Sequence, residues 1–146
     1  MKLKYRKAVF IVVYIKDNDK IKYLLLKRKL HWKGWEFPKG AIEKNESLIE
    51  AVKRELREET WQKPIKIKKF NLSGKYQYHK LLKDRPGFKG QSWKLFAAEV
   101  KNSKIKLDKE EHCSFRWLGF DNAKKLLKWQ NQKRCLKIVD KFLENG

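Results

Sequence analysis

Hydrophobic residues cluster in short runs over the first third of the chain, and these runs predict β-strands. The segment from Tyr5 to Lys16 contains an uninterrupted apolar run, Ala8–Ile15, which is typical of a strand buried on both faces. After an Asp-Asn-Asp turn, Ile21 to Arg28 predicts a second strand, so the two segments form a hairpin. A short extended piece, Trp35–Phe37, ends at Pro38.

A helical period begins near residue 48 and predicts the first helix. Ser47 and Glu50 form a Ser-x-x-Glu capping box, which places the start of the helix near Leu48. Apolar residues then recur at helical spacing and form one stripe, made of Leu48, Ile49, Val52 and Leu56.

The remaining pattern predicts further strands and two final helices. Strands are expected at residues 65–72, 76–82, 93–100 and 115–118, with a flexible basic loop up to Gln91 and helices at Asn122–Trp129 and Asn131–Leu143. Strands that flank and enclose a helix, followed by closing helices, predict an α+β fold. We expect one domain over residues 1–146, because this length fits one core and 41% hydrophobic content supplies it.

The composition of the chain indicates where the protein resides and what it binds. The longest apolar run is the length of a strand, and the N-terminus shows no signal peptide, so we expect a cytoplasmic protein without membrane spans. Lys and Arg number 38 against 17 Asp and Glu, which gives a net charge of +21. Such an excess indicates a polyanionic partner, either a polyphosphate or RNA, unless it reflects a lysine-rich proteome.

Three carboxylates crowd one face at the end of the predicted helix. Glu55, Glu58 and Glu59 are spaced at i, i+3 and i+4, where like charges destabilise a helix by roughly 0.2–0.5 kcal/mol per pair. They also lie in the last turn, where the helix dipole favours cations. A divalent cation would offset this charge, and an all-oxygen site suits Mg²⁺ or Mn²⁺ better than zinc. The alternative is a solvated helix face that pairs with nearby Lys and Arg.

The spacing of charged residues around this helix resembles a family motif. Gly40, five residues, Glu46, seven residues and then Arg54-Glu55-Leu56-x-Glu58-Glu59 matches every charged position of the Nudix box, G-x5-E-x7-R-E-U-x-E-E-x-G-U. The resemblance implies a Nudix-type α/β/α sandwich with a mixed β-sheet. It also implies hydrolysis of a nucleoside diphosphate linked to another group.

One position departs from the motif, because Trp61 stands where the family has glycine. That glycine usually takes the left-handed conformation at a helix C-terminus, which would cost a tryptophan about 1–2 kcal/mol. We therefore expect the helix to end differently, with Pro64 enforcing the stop.

Two stretches outside the box extend the resemblance. Trp35–Gly40 is similar to the W-x-F/P-P-K/Q-G run of Nudix enzymes that act on dinucleoside polyphosphates, messenger-RNA caps and 5′-triphosphate RNA. This similarity implies that the Gly40 carbonyl is a metal ligand and that Lys39 lies beside the phosphates. The alternative is that the run only forms a turn. Leu107–Leu118 resembles a stretch of asymmetric diadenosine tetraphosphate hydrolases, which implies that Glu111 reaches the metal; otherwise Glu111 belongs to a solvated loop.

Aromatic residues offer a place for a nucleobase. Tyr76 and Tyr78 resemble the K-Y-x-Y run of bacterial members of that hydrolase family, whose aromatics stack on adenine. Because they are two residues apart on a strand, these tyrosines would face the same side and form a platform for a base. The alternative is that they pack in the core. Gly90-Gln91-Ser92-Trp93 resembles RNA pyrophosphohydrolases, and the following Lys94 is a candidate phosphate contact.

The most similar family implies asymmetric hydrolysis of diadenosine tetraphosphate to AMP and ATP, with Mg²⁺ or Mn²⁺ as cofactor. The implied metal ligands are Gly40, Glu55, Glu58, Glu59 and Glu111. The candidate catalytic residues are Glu58, Glu111 and Arg54; either glutamate would act as general base, and Glu46 would pair with Arg54. The alternatives are an RNA 5′-pyrophosphohydrolase and a non-catalytic RNA-binding Nudix-like module, with nucleotide sugars and deoxynucleoside triphosphates open as substrates. We expect a monomer or homodimer.

Overall fold

A computed structural model describes residues 2–145 of the chain. Within this range, the elements follow in the order β1 (Lys4–Asp17), β2 (Lys20–Arg28), β3 (Gly34–Glu36), β4 (Lys39–Ala41), α1 (Leu48–Thr60), β5 (Lys66–Gln77), β6 (Phe88–Glu99), β7 (His112–Leu118), α2 (Phe120–Leu126) and α3 (Gln130–Asn145). Within residues 2–145, no helix has the length and apolar character that a membrane span requires.

Strand β1 lies at the centre of a mixed sheet. It runs parallel to β6 and antiparallel to β2, in the order β3-β2-β1-β6-β5, while β7 pairs with β2. The edge of β1 that faces β2 is divided, because residues 14–17 pair with β2 and residues 8–10 pair with the short strand β4. This division places Lys39 and Gly40 of β4 against the middle of the sheet, directly before α1.

Alternate residues of β1 point to two separate cores, one on each face of the sheet. Helix α1 covers one face, with Val52 and Leu56 buried against Val9 and Ile11. Helices α2 and α3 cover the other face, and the main apolar residues there are Phe10, Val12, Tyr23, Trp93, Leu95, Ala123, Leu127, Leu136 and Val139. The α/β/α sandwich with a mixed sheet is thus confirmed, and the uninterrupted apolar run of β1 is explained by burial on both faces.

The third quarter of the chain differs from the predicted pattern. The strands expected at residues 65–72 and 76–82 form one strand, β5, that ends at Gln77, and β6 starts at Phe88 within the expected basic loop. Backbone pairing between these strands continues to Gln77 and Gly90, so ladder hydrogen bonds outweigh the loop-like composition. Gly74 has a packing role there, since a side chain at this position would overlap the indole of Trp93.

Helix α1 begins as the capping box predicts. The Ser47 hydroxyl accepts a hydrogen bond from the Glu50 amide at 3.1 Å, and the Glu50 carboxylate accepts one from the Ser47 amide at 3.1 Å. The predicted apolar stripe is wrong at Ile49, which is 40% exposed. Ala51 is buried in its place, so the face that packs on the sheet passes through Ala51, Val52 and Leu56.

The prediction that helix α1 ends without a left-handed residue at Trp61 is wrong. Trp61 adopts the left-handed conformation, with φ 61° and ψ 25°, as a glycine would. Its amide bonds to the Arg57 carbonyl at 3.0 Å and the next amide, Gln62, to the Leu56 carbonyl at 3.4 Å, which satisfies the end of the helix. The indole is 66% exposed and lies under the Lys106 ammonium at 5.1 Å, so it demands no space in the core.

Candidate active site

Arg54 joins the helix α1 to the loop that precedes it. Its guanidinium binds the Glu46 carboxylate through Nε at 2.7 Å and Nη2 at 2.9 Å, and donates from Nη2 to the Ala41 carbonyl at 2.7 Å. Nη1 also reaches Glu55 at 2.7 Å and Glu58 at 3.1 Å. Hydrogen bonding to Arg54 lowers the pKa of Glu46. The two charged residues that the motif spacing links therefore meet, and they fix where the acids of the helix stand.

A polar cavity of about 210 Å³, called the carboxylate cavity below, lies beside Arg54. It brings together all five residues that the sequence predicts as metal ligands, namely Gly40, Glu55, Glu58, Glu59 and Glu111. Its other lining residues are Arg6, Arg28, Lys39, Ala41, Glu43, Arg54, Arg85, Gln91 and Asp108. Gly40 allows the closest approach, because any side chain there would overlap the carboxylate of Glu55.

Burial makes these acids hard to ionise. Desolvation raises the pKa of Glu55 to about 7, although its hydrogen bond with Arg54 opposes the rise. Glu59 is buried, and desolvation raises its pKa well above the ordinary value, helped by the charges of Glu55 and Glu111. Like charges brought together out of water favour protonation unless a cation offsets them.

The arrangement fits a divalent cation. Glu59 accepts a hydrogen bond from the Lys39 amide through Oε2 at 3.3 Å, but its buried Oε1 has no partner among residues 2–145. Ligand atoms of Glu59, Glu111 and His112 lie within 4.8 Å of one another. A buried carboxylate oxygen without a donor, in a cavity lined by further carboxylates, is the donor set that a hard cation binds.

A buried ionic network behind the cavity was missed by the sequence reasoning. The Glu36 carboxylate is 1% exposed and accepts hydrogen bonds from Arg28 at 3.0 Å, His112 at 3.0 Å and Trp32 at 3.2 Å, with the Lys39 ammonium 3.7 Å away. Burial alone would raise the pKa of Glu36, but Lys39, the His112 hydrogen bond and Arg28 outweigh it and lower the pKa to about 2. Arg28 also stands 3.8 Å from Glu111, so the network faces the carboxylate cavity.

Tyr76 and Tyr78 line a second cavity of about 360 Å³, called the aromatic cavity below. Its lining residues are Phe10, His31, Trp32, Lys39, Tyr76, Gln77, Tyr78, His79, Lys80, Leu82, Lys128, Trp129, Gln130, Asn131 and Gln132. The two tyrosine rings lie 6.2 Å apart at 73°, so they form an edge-to-face pair and not a flat platform. Lys94 is exposed and lines neither cavity, whereas Lys39 lines both.

Lys39 stands on the wall between the two cavities. Its ammonium lies 3.1 Å from the Tyr76 hydroxyl and 4.5 Å above the Trp32 ring, while its backbone amide reaches Glu59. Its position beside the acids could be predicted from the run before Gly40. Its contact with Tyr76 could not, because that contact joins β4 to β5, a strand far away in the sequence.

A carboxylate-lined cavity at the end of helix α1, on an α/β/α sandwich, is a donor set suited to a divalent cation, and metal-assisted hydrolysis is a reaction that such a site can perform. The NUDIX domain family matches residues 4–138, and the chain therefore belongs to the Nudix family. The predicted family is confirmed, and with it a hydrolase that acts on pyrophosphate bonds.

The named relatives include two kinds of hydrolase that bear on the substrate. The chain is 32% identical to the asymmetrical bis(5′-nucleosyl)-tetraphosphatase of Mus musculus over 129 residues, which is 87% of this chain and 84% of the relative. It is 33% identical to the RNA pyrophosphohydrolase of Nitratiruptor sp. over 114 residues, 75% of this chain and 74% of the relative. Among solved structures, the C. elegans Ap4A hydrolase binary complex is similar with a TM-score of 0.77 and 25% identity, covering 97% of this chain and 99% of that one.

Proposed function

We propose that residues 1–146 form one Nudix domain that hydrolyses diadenosine tetraphosphate, or a near relative, to AMP and ATP with Mg²⁺ or Mn²⁺. The observation that carries this proposal is the adjacency of the two cavities, which share Lys39 as a common wall. A substrate that joins an anionic phosphate chain to an aromatic base matches a polar cavity that adjoins an aromatic one. The tetraphosphatase and Ap4A hydrolase relatives support the same substrate class.

The donors for the cation would be the carboxylates of Glu55, Glu58, Glu59 and Glu111 and the carbonyl of Gly40. When bound, Mg²⁺ or Mn²⁺ supplies positive charge against the phosphates and acidifies a water molecule. The unpartnered oxygen of Glu59 and the raised pKa of Glu55 support this role, because both are groups that a cation would stabilise.

Glu58 and Glu111 are the carboxylates best placed to accept a proton from the attacking water. Their side chains are 51% and 32% exposed, against 11% for Glu55, and Glu59 is 2% exposed. A general base must reach a water molecule in the cavity, and the greater exposure of Glu58 and Glu111 favours these two acids. Arg54 holds Glu58 by its hydrogen bond and contributes by positioning that acid.

The basic lining residues would hold the phosphate chain, and the aromatic cavity would hold one adenine. Arg6, Lys39 and Arg85 place positive charge along the carboxylate cavity, where it offsets the charge of the leaving nucleotide. Tyr76 and Trp129 line the neighbouring cavity and offer ring faces or edges to a base. Lys94 has no place in this proposal.

Removal of pyrophosphate from the 5′ end of RNA is the second candidate. The net charge of +21 and the Nitratiruptor relative favour it. Gln91 of the Gly-Gln-Ser-Trp stretch lines the carboxylate cavity, but its amide oxygen is already bound by Arg85 and Tyr78. Trp93 of the same stretch stacks on Phe10 at 4.5 Å within the core, so this stretch offers RNA little free surface.

The test offers the purified protein diadenosine tetraphosphate, ADP-ribose, dATP and triphosphorylated RNA with Mg²⁺ or Mn²⁺, and separates the products by ion exchange. We expect AMP and ATP from the first substrate. Glu58→Gln should lower kcat about 100-fold, while Glu110→Gln, an exposed acid beside Glu111, should leave it unchanged. Turnover of RNA alone would move the assignment to the second candidate, and RNA binding without any turnover would favour a non-catalytic module.

A further inference from the structure

Among the described residues that line the aromatic cavity, one amide has a buried oxygen without a hydrogen-bond partner. Asn131, in the first turn of α3, lines the cavity, and its buried Oδ1 has no partner among residues 2–145. A buried acceptor left unpaired destabilises the ligand-free protein, so a turn of the amide that brings Oδ1 to a donor on a bound ligand would be favourable.

The other amides that line the cavity cannot supply such a hydrogen-bond acceptor. Gln132 is buried, but its Oε1 already accepts the Phe37 backbone amide at 3.0 Å. Gln77 and Gln130 are exposed at the rim, where water competes for their hydrogen bonds. Asn131 is therefore the amide that can recognise a polar edge of a ring bound between the aromatic side chains.

We propose that Asn131 determines base specificity and favours adenine over guanine, an inference that rests on the proposed function. An asparagine amide pairs with adenine by accepting from the exocyclic N6 amine and donating to a ring nitrogen. A turn of the Asn131 amide about its last torsion would present both groups to the base, and no hydrogen bond within residues 2–145 holds its oxygen in place.

Guanine would be discriminated against because it brings a second set of donors. Its N1–H and C2 amine are best matched by the two oxygens of a carboxylate, and no Asp or Glu of the described residues lines this cavity. Asn131 offers one acceptor, and the neighbouring Gln132 oxygen is occupied. A guanine bound there would bring two donors to the single Asn131 oxygen, which should lower its relative efficiency about tenfold.

The experiment compares kcat/KM for diadenosine and diguanosine tetraphosphate in the wild type, Asn131→Ala and Asn131→Asp. We expect the wild type to prefer adenine about tenfold, Asn131→Ala to lose this preference, and Asn131→Asp to shift it towards guanine about tenfold. Gln130→Ala is the matched control, one residue away on the cavity rim, and it should keep the wild-type ratio. A structural role alone would change both substrates equally and leave the ratio unmoved.

A second readout separates this inference from the proposed function. AMP and GMP are titrated against the same proteins, and the tryptophan fluorescence of the cavity reports binding without turnover, since Trp32 and Trp129 line it. If neither dinucleotide is hydrolysed but AMP binds better than GMP only when Asn131 is present, the inference holds and the proposed function fails. An adenine-to-guanine ratio that is the same in all four proteins, in turnover and in binding, overturns the inference.

Discussion

Replacing Glu55 by glutamine should stabilise the metal-free protein above neutral pH. Burial raises the pKa of Glu55 to about 7 from an ordinary 4.5, so the folded state holds this proton more tightly than the unfolded state. Stability is therefore undiminished below pH 4.5, falls as pH rises from 4.5 to 7, and stays low above 7. At about 1.4 kcal/mol per pH unit, the loss is about 3 kcal/mol.

The glutamine removes this charge and keeps the nearest contact. Glu55 Oε1 accepts from Arg54 Nη1 at 2.7 Å, and an amide oxygen can accept the same hydrogen bond. At pH 8 in EDTA, Glu55→Gln should raise the free energy of unfolding by up to about 3 kcal/mol, with a small change at pH 5. Urea unfolding followed by tryptophan fluorescence measures both values.

Adding metal should make the wild type more stable than Glu55→Gln, the reverse of the order in EDTA. Wild-type protein gains stability with Mn²⁺ because the cation binds the folded state, whereas Glu55→Gln loses one carboxylate ligand and gains less. The exposed Glu110→Gln controls for a change of net charge alone and should follow the wild type at each pH. A glutamine variant that is less stable than wild type in EDTA at pH 8 would refute the idea that desolvated charge accumulates in this cavity.

Two other substitutions test how helix α1 is held at its ends. Trp61→Gly should raise the free energy of unfolding by about 1 kcal/mol at unchanged kcat, because glycine adopts φ 61° without strain. Trp61→Ala keeps the strain and should give no such gain in the same urea titration. An equal gain from both variants would contradict the explanation. Arg54→Lys should lower the free energy of unfolding by about 2 kcal/mol and reduce kcat, since an ammonium cannot reproduce the paired contacts to Glu46. Wild-type values of stability and kcat in this variant would refute a positioning role for Arg54.

The acids of helix α1 could be predicted because one helix fixes their spacing. Glu55, Glu58 and Glu59 are neighbours whatever the rest of the chain does, and Gly40 follows from the continuous run before them. Residues on separate strands could not be placed in this way. His112 meets Arg28 through the register of β7 on β2, and a shift of one residue would have sent it to the other face.

The errors have equally local causes. The conformational preference of tryptophan disfavours the left-handed region, but two backbone hydrogen bonds and an exposed side chain allow Trp61 to adopt it. Lys94 is close to Gln91 in the sequence, yet alternation along β6 turns the two side chains to opposite faces of the sheet. Single-residue preferences therefore fail where a strand register or a helix end decides the outcome.

The acidic cavity and the basic chain act in opposite directions on a polyphosphate. The carboxylates that line the cavity repel the phosphates when they are ionised, and Arg54 offsets them only in part because it is already bound to Glu46. A cation among the acids would turn this repulsion into attraction, while Lys39 and Arg85 add positive charge in the cavity lining. Substrate affinity should therefore depend on the metal as strongly as turnover does, which separates this site from a basic surface that binds polyanions by charge alone.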